Sequence, residues 1–361
     1  MADFFFEYGL FLVKLLSIMF GILFVVGGIA RIISKHREEV SEGGSIVLSN
    51  LSEELDDIQE LFLEETLDPD EYKRYLKQKK QTEKKEKKEE KKASKKKAKQ
   101  HPDEEIHPDP RLFVIQFHGD VEASDVDNLK ECINAVLTTA SEQDEVLVVI
   151  DSHGGYVHSY GLAASQLARL RAQSIPLTVA IDTVAASGGY LMAVVANKII
   201  AAPFAIVGSI GVIAELPNFH RLLKKHDVDY ETYTAGKYKR TVTVFGENTE
   251  QGREKFREEL ADVHRLFQQH IADYRKVNLE KTATGEHWHA KDAIKLGLVD
   301  EIKTSDDFMF EYYRENKGKI YRVEYIIKES FADRLQNIIH HTGKALLTAL
   351  IKLTPAKLLQ K

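Results

Sequence analysis

The chain has 361 residues, 43% of them hydrophobic, with 50 Lys+Arg against 56 Asp+Glu. Such a composition excludes global disorder and supports a full core, and the single cysteine, Cys132, excludes an intrachain disulfide framework or a multi-cysteine zinc site. The net charge of −6 hides a block, Lys77 to Lys99, of 13 lysines and four glutamates, a local +9 that leaves −15 elsewhere. That remainder argues against a chain devoted to nucleic acid.

Gly9 to Ala30 carries one charge, Lys14, in 22 residues. As a helix it would span about 33 Å, enough for the roughly 30 Å hydrocarbon layer, with Lys14 near one end where its amine reaches the headgroups. The acidic flank (Asp3, Glu7), the long apolar run and the lack of a small-residue cleavage site separate it from a signal peptide. Residues 1–33 are therefore expected to be a single-pass membrane anchor. Arg31, Lys35 and Arg37 follow it, which by the positive-inside rule puts the C-terminal bulk in the cytoplasm.

Residues 34–110 read as a juxtamembrane helix and tether. Leu51, Leu55, Ile58, Leu61 and Phe62 at helical spacing predict an amphipathic helix within 46–76. The lysine block after it reads as a solvated helix or a tether kept extended by like charges. Attraction to anionic lipid headgroups is the functional alternative. Nucleic acid is not expected, because no aromatic residue interleaves the lysines. Three prolines between His101 and Pro110 mark the boundary of a domain spanning 111–328.

Within that domain, strands are expected at Leu112–Phe117, Val146–Ile150 and Leu177–Ile181. Helices are expected at Ser124–Ala140, Gly161–Gln173 and Gly188–Ala196. Strands separated by helices imply βαβ units and a mostly parallel α/β sheet. The apolar stretch from Val184 to Val212 is interrupted by Asn197, Lys198, Pro203 and several glycines, so it reads as core rather than a second span. Residues 329–361 place Leu335, Ile338, Ile339, Leu346, Leu350 and Leu353 roughly on one helical face amid basic residues. They read as a packed, inter-protomer or membrane-surface helix.

Three glycine-punctuated motifs sit on successive loops. Asp151-Ser-His-Gly-Gly155 follows a strand, and paired glycines there let backbone N–H groups approach a ligand, as an oxyanion site requires; the bland alternative is an ordinary turn. Val184-Ala-Ala-Ser-Gly-Gly-Tyr190 puts Ser187 at a strand-to-helix turn among small residues, either as an uncrowded nucleophile or as a helix N-cap. Ile206-Val-Gly-Ser-Ile-Gly211 places Ser209 between glycines. A serine nucleophile needs a base. None of the 14 histidines stands in an evident pairing with an acid, and His118, His153 and His158 read as surface or loop residues. A desolvated lysine can serve instead. Thr234-Ala-Gly-Lys-Tyr-Lys-Arg240 offers Lys237 and Lys239, which the residues alone do not separate.

At these motifs the sequence resembles the signal peptide peptidase A family of membrane-anchored Ser–Lys proteases. The resemblance runs from the N-terminal apolar segment to about residue 330. It is carried in order by Gly161-Leu-Ala-Ala-Ser-Gln-Leu167, Val184–Tyr190, Ala202–Gly211, Ala235–Arg240, Gly246-Glu-Asn-Thr249 and Ala283-Thr-Gly-Glu-His-Trp288. It implies Ser187 as nucleophile, Lys239 as general base, Ser209 as the group orienting the lysine, and Gly154, Gly155 and the N–H of Gly188 as the oxyanion site. It implies the spiral ββα superfold shared with caseinolytic protease and crotonases, and polypeptide substrates with apolar stretches such as signal-peptide remnants or misfolded membrane proteins. It further implies an inner-membrane protein facing the periplasm, and no cofactor or metal. With no internal repeat, the resemblance implies a homo-oligomer whose serine and lysine come from neighbouring protomers. One departure stands out: His153 replaces the proline that usually precedes the paired glycines, which removes a constraint on the loop. Two rival readings are a crotonase-like acyl-thioester enzyme on the same fold and a catalytically silent membrane scaffold.

Overall fold

A computed structural model of the chain describes residues 44–100, 109–315 and 317–326. The expected anchor at Gly9–Ala30 and the basic segment 329–361 lie outside the described residues. No helix among the described residues is long and apolar enough to cross a membrane. Residues Ile46–Tyr325 make one compact unit.

The unit is a mixed α/β structure on a ten-stranded sheet. In chain order the elements are β1 (Ser45–Asn50), α1 (Leu51–Thr66), α2 (Pro69–Gln100), β2 (Arg111–Gly119), α3 (Val126–Thr139), β3 (Glu145–Ser152), α4 (Val157–Ala172), β4 (Leu177–Ile181), β5 (Val184–Ala186) and α5 (Gly188–Ala193). There follow β6 (Lys198–Ala201), β7 (Ile206–Gly208), α6 (His220–Lys225), α7 (Glu250–Tyr274), α8 (Leu279–Thr282), β8 (His287–His289), α9 (Ala290–Ala293), β9 (Glu301–Ile302), α10 (Ser305–Arg314) and β10 (Lys319–Ile326).

The main path runs β1-β10-β2-β3-β4-β6-β9, and the β10-to-β9 pairings are parallel. Parallel strands joined by helices are covered on both faces and read as unbroken apolar runs; all five residues of β4 are buried. Leu129, Ile133 and Val136 of α3 and Ala163, Leu167 and Leu170 of α4 join the core on one face. Leu51 of α1 and Tyr312 of α10 join Leu112, Leu147 and Ile320 on the other. At the start of β2 and β3, the carboxylate of Asp144, 1% exposed, takes the guanidinium of Arg111 and the backbone N–H groups of Arg111 and Ser141.

The segment before residue 111 differs from its sequence reading in one respect and selects between alternatives in another. Ser45–Asn50 is a strand, not part of a helix, because β10 offers it an edge, and Ser52 Oγ then accepts the N–H of Ile320 at 2.9 Å. Of the two readings of the lysine block the structure has the helix, a continuation of one begun at Pro69, where proline suits the first turn. Of the apolar stripe on α1, Leu51 is buried, while Ile58, Leu61 and Phe62 remain exposed.

A short second layer branches from the end of β3. Ser152 pairs with Ala185, β5 pairs in parallel with β7, and β7 pairs antiparallel with β8. This branch brings the three glycine-bearing loops together.

Candidate active site

Ser187 follows β5 directly and precedes α5. Its backbone, at φ 50° and ψ −117°, lies outside the regions an L-residue prefers. The turn is held from both sides: Ser187 N–H donates to Gly208 O at 2.8 Å and Ser187 O accepts from Leu191 N–H at 2.9 Å. The hydroxyl makes no capping bond to α5, which removes the N-cap alternative. Such a strained strand-to-helix turn thrusts a serine hydroxyl outward for reaction.

The small neighbours have a packing reason. A Cβ on Gly188 would sit 2.3 Å from the Tyr160 ring, and one on Gly189 would sit 2.7 Å from Ser152 O. Only glycines let α5 start so close to β3 and α4.

The paired-glycine loop lies against this turn. Gly154 has φ +88°, and a Cβ there would meet Gly188 N at 2.6 Å and Ser187 Cβ at 2.8 Å. The N–H of Gly154 is engaged internally, donating to Ser152 Oγ at 3.0 Å. Among the described residues, no acceptor receives the N–H of Gly155 or of Gly188. Of the three glycines expected to hold an oxyanion, two retain a free donor and Gly154 supplies the bend.

Beneath the loop runs a relay that the sequence did not single out. Gly154 N–H donates to Ser152 Oγ, Ser152 Oγ lies 2.5 Å from Tyr160 Oη, and Tyr160 Oη donates to Asp120 O at 2.6 Å. Ser152 lies within the Asp151–Gly155 motif, but nothing local marks it or Tyr160 for this pairing, which follows from tertiary structure.

Ser187 opens into a cavity of about 160 Å³. Gly155 and Gly188 line it with Ser187, and its apolar wall comes from Val157, Leu191, Val212, Val263, Leu266 and Phe267. His270 of α7 also lines it, with Nε2 2.9 Å from Leu191 O. Since a carbonyl only accepts, Nε2 carries the proton, and burial pushes the imidazole below its usual pKa despite that bond. His270 therefore serves α5 and is not paired with Ser187. His118, His153 and His158 are exposed. His118 stands 3.8 Å from Asp151, a solvent-facing contact of small weight.

By strand register Gly208 lies opposite Ala186, so Ser209 follows Gly208 as Ser187 follows Ala186. Ser209 also has positive φ, 52°, and donates its N–H to Glu286 O. The structure thus brings Ser187, Ser209, Gly154, Gly155 and Gly188 together. It does not bring Lys239, whose side chain is exposed and does not line the cavity. The lysine loop packs along the N-terminal half of α7: Gly252 abuts Thr241 O, and Lys255 stands over the Tyr238 ring. Thr241 Oγ1 also donates to Glu259 at 3.4 Å, about one helical turn before Val263, the first residue of α7 on the cavity.

Among the described residues, no group of three or more His, Cys, Asp and Glu side chains is placed to hold a metal ion.

Residues 3–167 match the N-terminal segment of peptidase family S49, and residues 169–317 match peptidase family S49 itself. "Probable protease SohB" of Haemophilus influenzae is 47% identical over 342 residues, covering 92% of this chain and 94% of that one. A protein of the same name from Buchnera aphidicola subsp. Schizaphis graminum is 41% identical, covering 94% and 96%. A solved membrane-bound stomatin-specific protease overlays with a TM-score of 0.39 at 13% identity, covering 57% of this chain and 85% of that one, too loosely to align individual residues. The site and these relatives define a serine peptidase. The chain belongs to peptidase family S49.

Proposed function

We propose that the protein is a membrane-bound endopeptidase working through a Ser187–Lys239 dyad assembled between protomers. The observation that carries the reading is the Ser187 turn, strained at φ 50° and flanked by the unspent N–H groups of Gly155 and Gly188. Neutral Lys239 from a neighbouring copy takes the proton of Ser187 Oγ as that oxygen attacks a peptide carbonyl. Gly155 and Gly188 hold the tetrahedral oxyanion. The lysinium then gives its proton to the leaving amine, and water hydrolyses the acyl-enzyme by the same route in reverse. Ser209, which follows Gly208 opposite Ala186 in the strand register, orients the amine.

Assembly from copies is supported by the exposed Lys239 side chain, which lines no part of its own cavity, and by the apolar surface of residues 212–245. Ile213 is 80% exposed and Tyr233 88%, with Phe219, Leu222 and Phe245 also open to solvent. Uncovered apolar side chains at this density mark a contact surface. The fold proposed for the unit is the spiral ββα superfold, to which the β5–β7–β8 branch corresponds. Residues 1–33 are proposed to anchor the protein in the inner membrane. The apolar cavity wall suits apolar polypeptide segments, such as signal-peptide remnants.

The test is labelling of the detergent-solubilised oligomer with a fluorophosphonate serine probe, together with cleavage of a signal-peptide substrate. Wild type is expected to label and cleave, Ser187→Ala to do neither, and Lys239→Ala to lose both by several orders of magnitude. An intact wild-type oligomer that neither labels nor cleaves sinks the reading.

A further inference from the structure

The lysine block has an order that its composition hides. At about 100° per residue along α2, eleven of its thirteen lysines fall within one half of the circumference, with Lys77, Lys84, Lys88, Lys95 and Lys99 along the middle. Glu83, Glu86, Glu89 and Glu90 all fall in the other half. Within the basic half, positions 80, 84, 88, 92 and 96 form an unbroken i,i+4 row of lysine. Like charges at that spacing destabilise an isolated helix. A spacer kept extended by repulsion needs no such sorting. A helix that meets a negative surface along one side does.

The packing of α1 agrees. It covers α2 from the opposite side, where Tyr72, Tyr75 and Leu76 are half-buried and Lys79 pairs with Glu60 at 2.6 Å. All seven acidic residues of α1 belong to the covering helix. Lys73, Arg74, Lys77, Lys80, Lys84 and Lys88 remain exposed on the uncovered side.

We propose that this basic face lies along an anionic lipid bilayer surface and sets the orientation of the peptidase unit on the membrane. Lysines alone, with no arginine fork and no aromatic residue in the block, suit a fluid array of headgroups better than the fixed phosphates or stacked bases of a nucleic acid. A basic face running about 33 Å from Lys77 to Lys99 matches a plane, and the apolar run at 9–30 supplies the bilayer in the same chain. The choice of lipid rests on that anchor reading, while the measurement is independent of catalysis.

The full-length protein is reconstituted in nanodiscs of phosphatidylcholine alone or of equal parts phosphatidylcholine and phosphatidylglycerol. A fluorophore is placed on Gln81→Cys, on the basic half, or on Ala93→Cys, on the other; the native Cys132 is buried. Quenching by headgroup-labelled lipid is expected to be several-fold stronger at position 81 than at 93 in anionic discs, and to fall to the phosphatidylcholine level at high salt. The variant Lys84→Glu/Lys88→Glu/Glu83→Lys/Glu90→Lys keeps the net charge and mixes the faces. It is expected to lose the difference between positions while helix content by circular dichroism is kept. Equal quenching at both positions, indifference to lipid charge, or an unaffected mixed-face variant overturns the proposal. So does protection of position 81 by duplex DNA where anionic discs give none.

Discussion

Ser152 Oγ and Tyr160 Oη stand 2.5 Å apart directly beneath the point where Gly154 meets Ser187. With Tyr160 donating to Asp120 O, the Ser152 hydroxyl accepts from Gly154 N–H, and its one proton has Tyr160 Oη and Gly119 O, 3.1 Å away, as acceptors. One relay thus ties the end of β2, the paired-glycine loop and α4. Tyr160→Phe breaks it in a buried place and is expected to cost about 1–3 kcal/mol. Ser152→Ala orphans the Gly154 amide and is expected to lower kcat about tenfold, an effect worth about 1.4 kcal/mol, with a smaller change in KM. Thermal melting and steady-state peptide hydrolysis check the pair. Unchanged kcat in Ser152→Ala means the loop holds itself.

Two glycines near the site should respond oppositely to alanine. Gly154 has φ +88° and backbone atoms within 2.8 Å of any added Cβ, so Gly154→Ala should abolish serine-probe labelling. Gly161 lies inside α4 with nothing within 4 Å of an added Cβ. Gly161→Ala should therefore raise stability by roughly 0.5–1 kcal/mol, read from the denaturant midpoint.

Much of this site was legible because the strands before each loop are short apolar runs and the loops are spelled in glycine and serine. Local signals single out Ser187, Ser209 and the paired glycines as candidates, and the structure places them on adjoining loops. Ser152 and Tyr160 are not singled out, because a strand-end serine and a helix tyrosine acquire their meaning only when β2, β3 and α4 converge. β1 escaped because its partner lies in β10, more than 250 residues away, and the six residues run straight into a helix. The sorting of lysine and glutamate on α2 was present in the sequence but becomes visible only once the block is known to be one continuous helix.

The buried Asp144 gives the unit an acid limit. Burial alone would raise its pKa, but the hydrogen bonds and charge of Arg111 and the N–H of Ser141 outweigh it and hold the carboxyl below its ordinary value. A carboxylate depressed in the fold contributes stability that is complete above the unfolded pKa, about 3.9, and is lost as pH falls through the folded one. Asp144→Ala should cost roughly 3–5 kcal/mol by leaving Arg111 unpaired and should flatten the pH dependence of melting below about pH 4. An unchanged acid slope in that variant assigns the limit to other carboxylates.

His270 is expected to act at milder pH. Its folded pKa lies below the ordinary 6.5 because burial disfavours the imidazolium. For a base depressed in the fold, stability is complete above the unfolded pKa and declines as pH falls from there towards the folded value. His270→Gln retains a donor for Leu191 O and should remove that slope with little loss at pH 8. His270→Ala leaves the Leu191 carbonyl unpaired and should cost about 1–3 kcal/mol at every pH. Melting curves of the three proteins from pH 5 to 8, a range that brackets the reference histidine value of about 6.5, separate the cases.

The exposed Lys239 makes the sharpest demand on the proposed mechanism. Within one chain the lysine loop is held near Gly252 by Thr241 and Tyr238, and Lys255 and Glu259 of α7 anchor it there. The Lys239 side chain is exposed and lines no part of the Ser187 cavity. Ser187→Ala and Lys239→Ala proteins are therefore each expected to be inactive alone. Mixed in equal amounts, dissociated and reassembled, they should recover about a quarter of wild-type hydrolysis, because a head-to-tail interface is productive in one of its four pairings. Recovery to that level assigns serine and lysine to different copies. No recovery from a mixture that has demonstrably exchanged subunits means that the lysine loop must swing back to its own serine, and the dyad is then a property of a single chain.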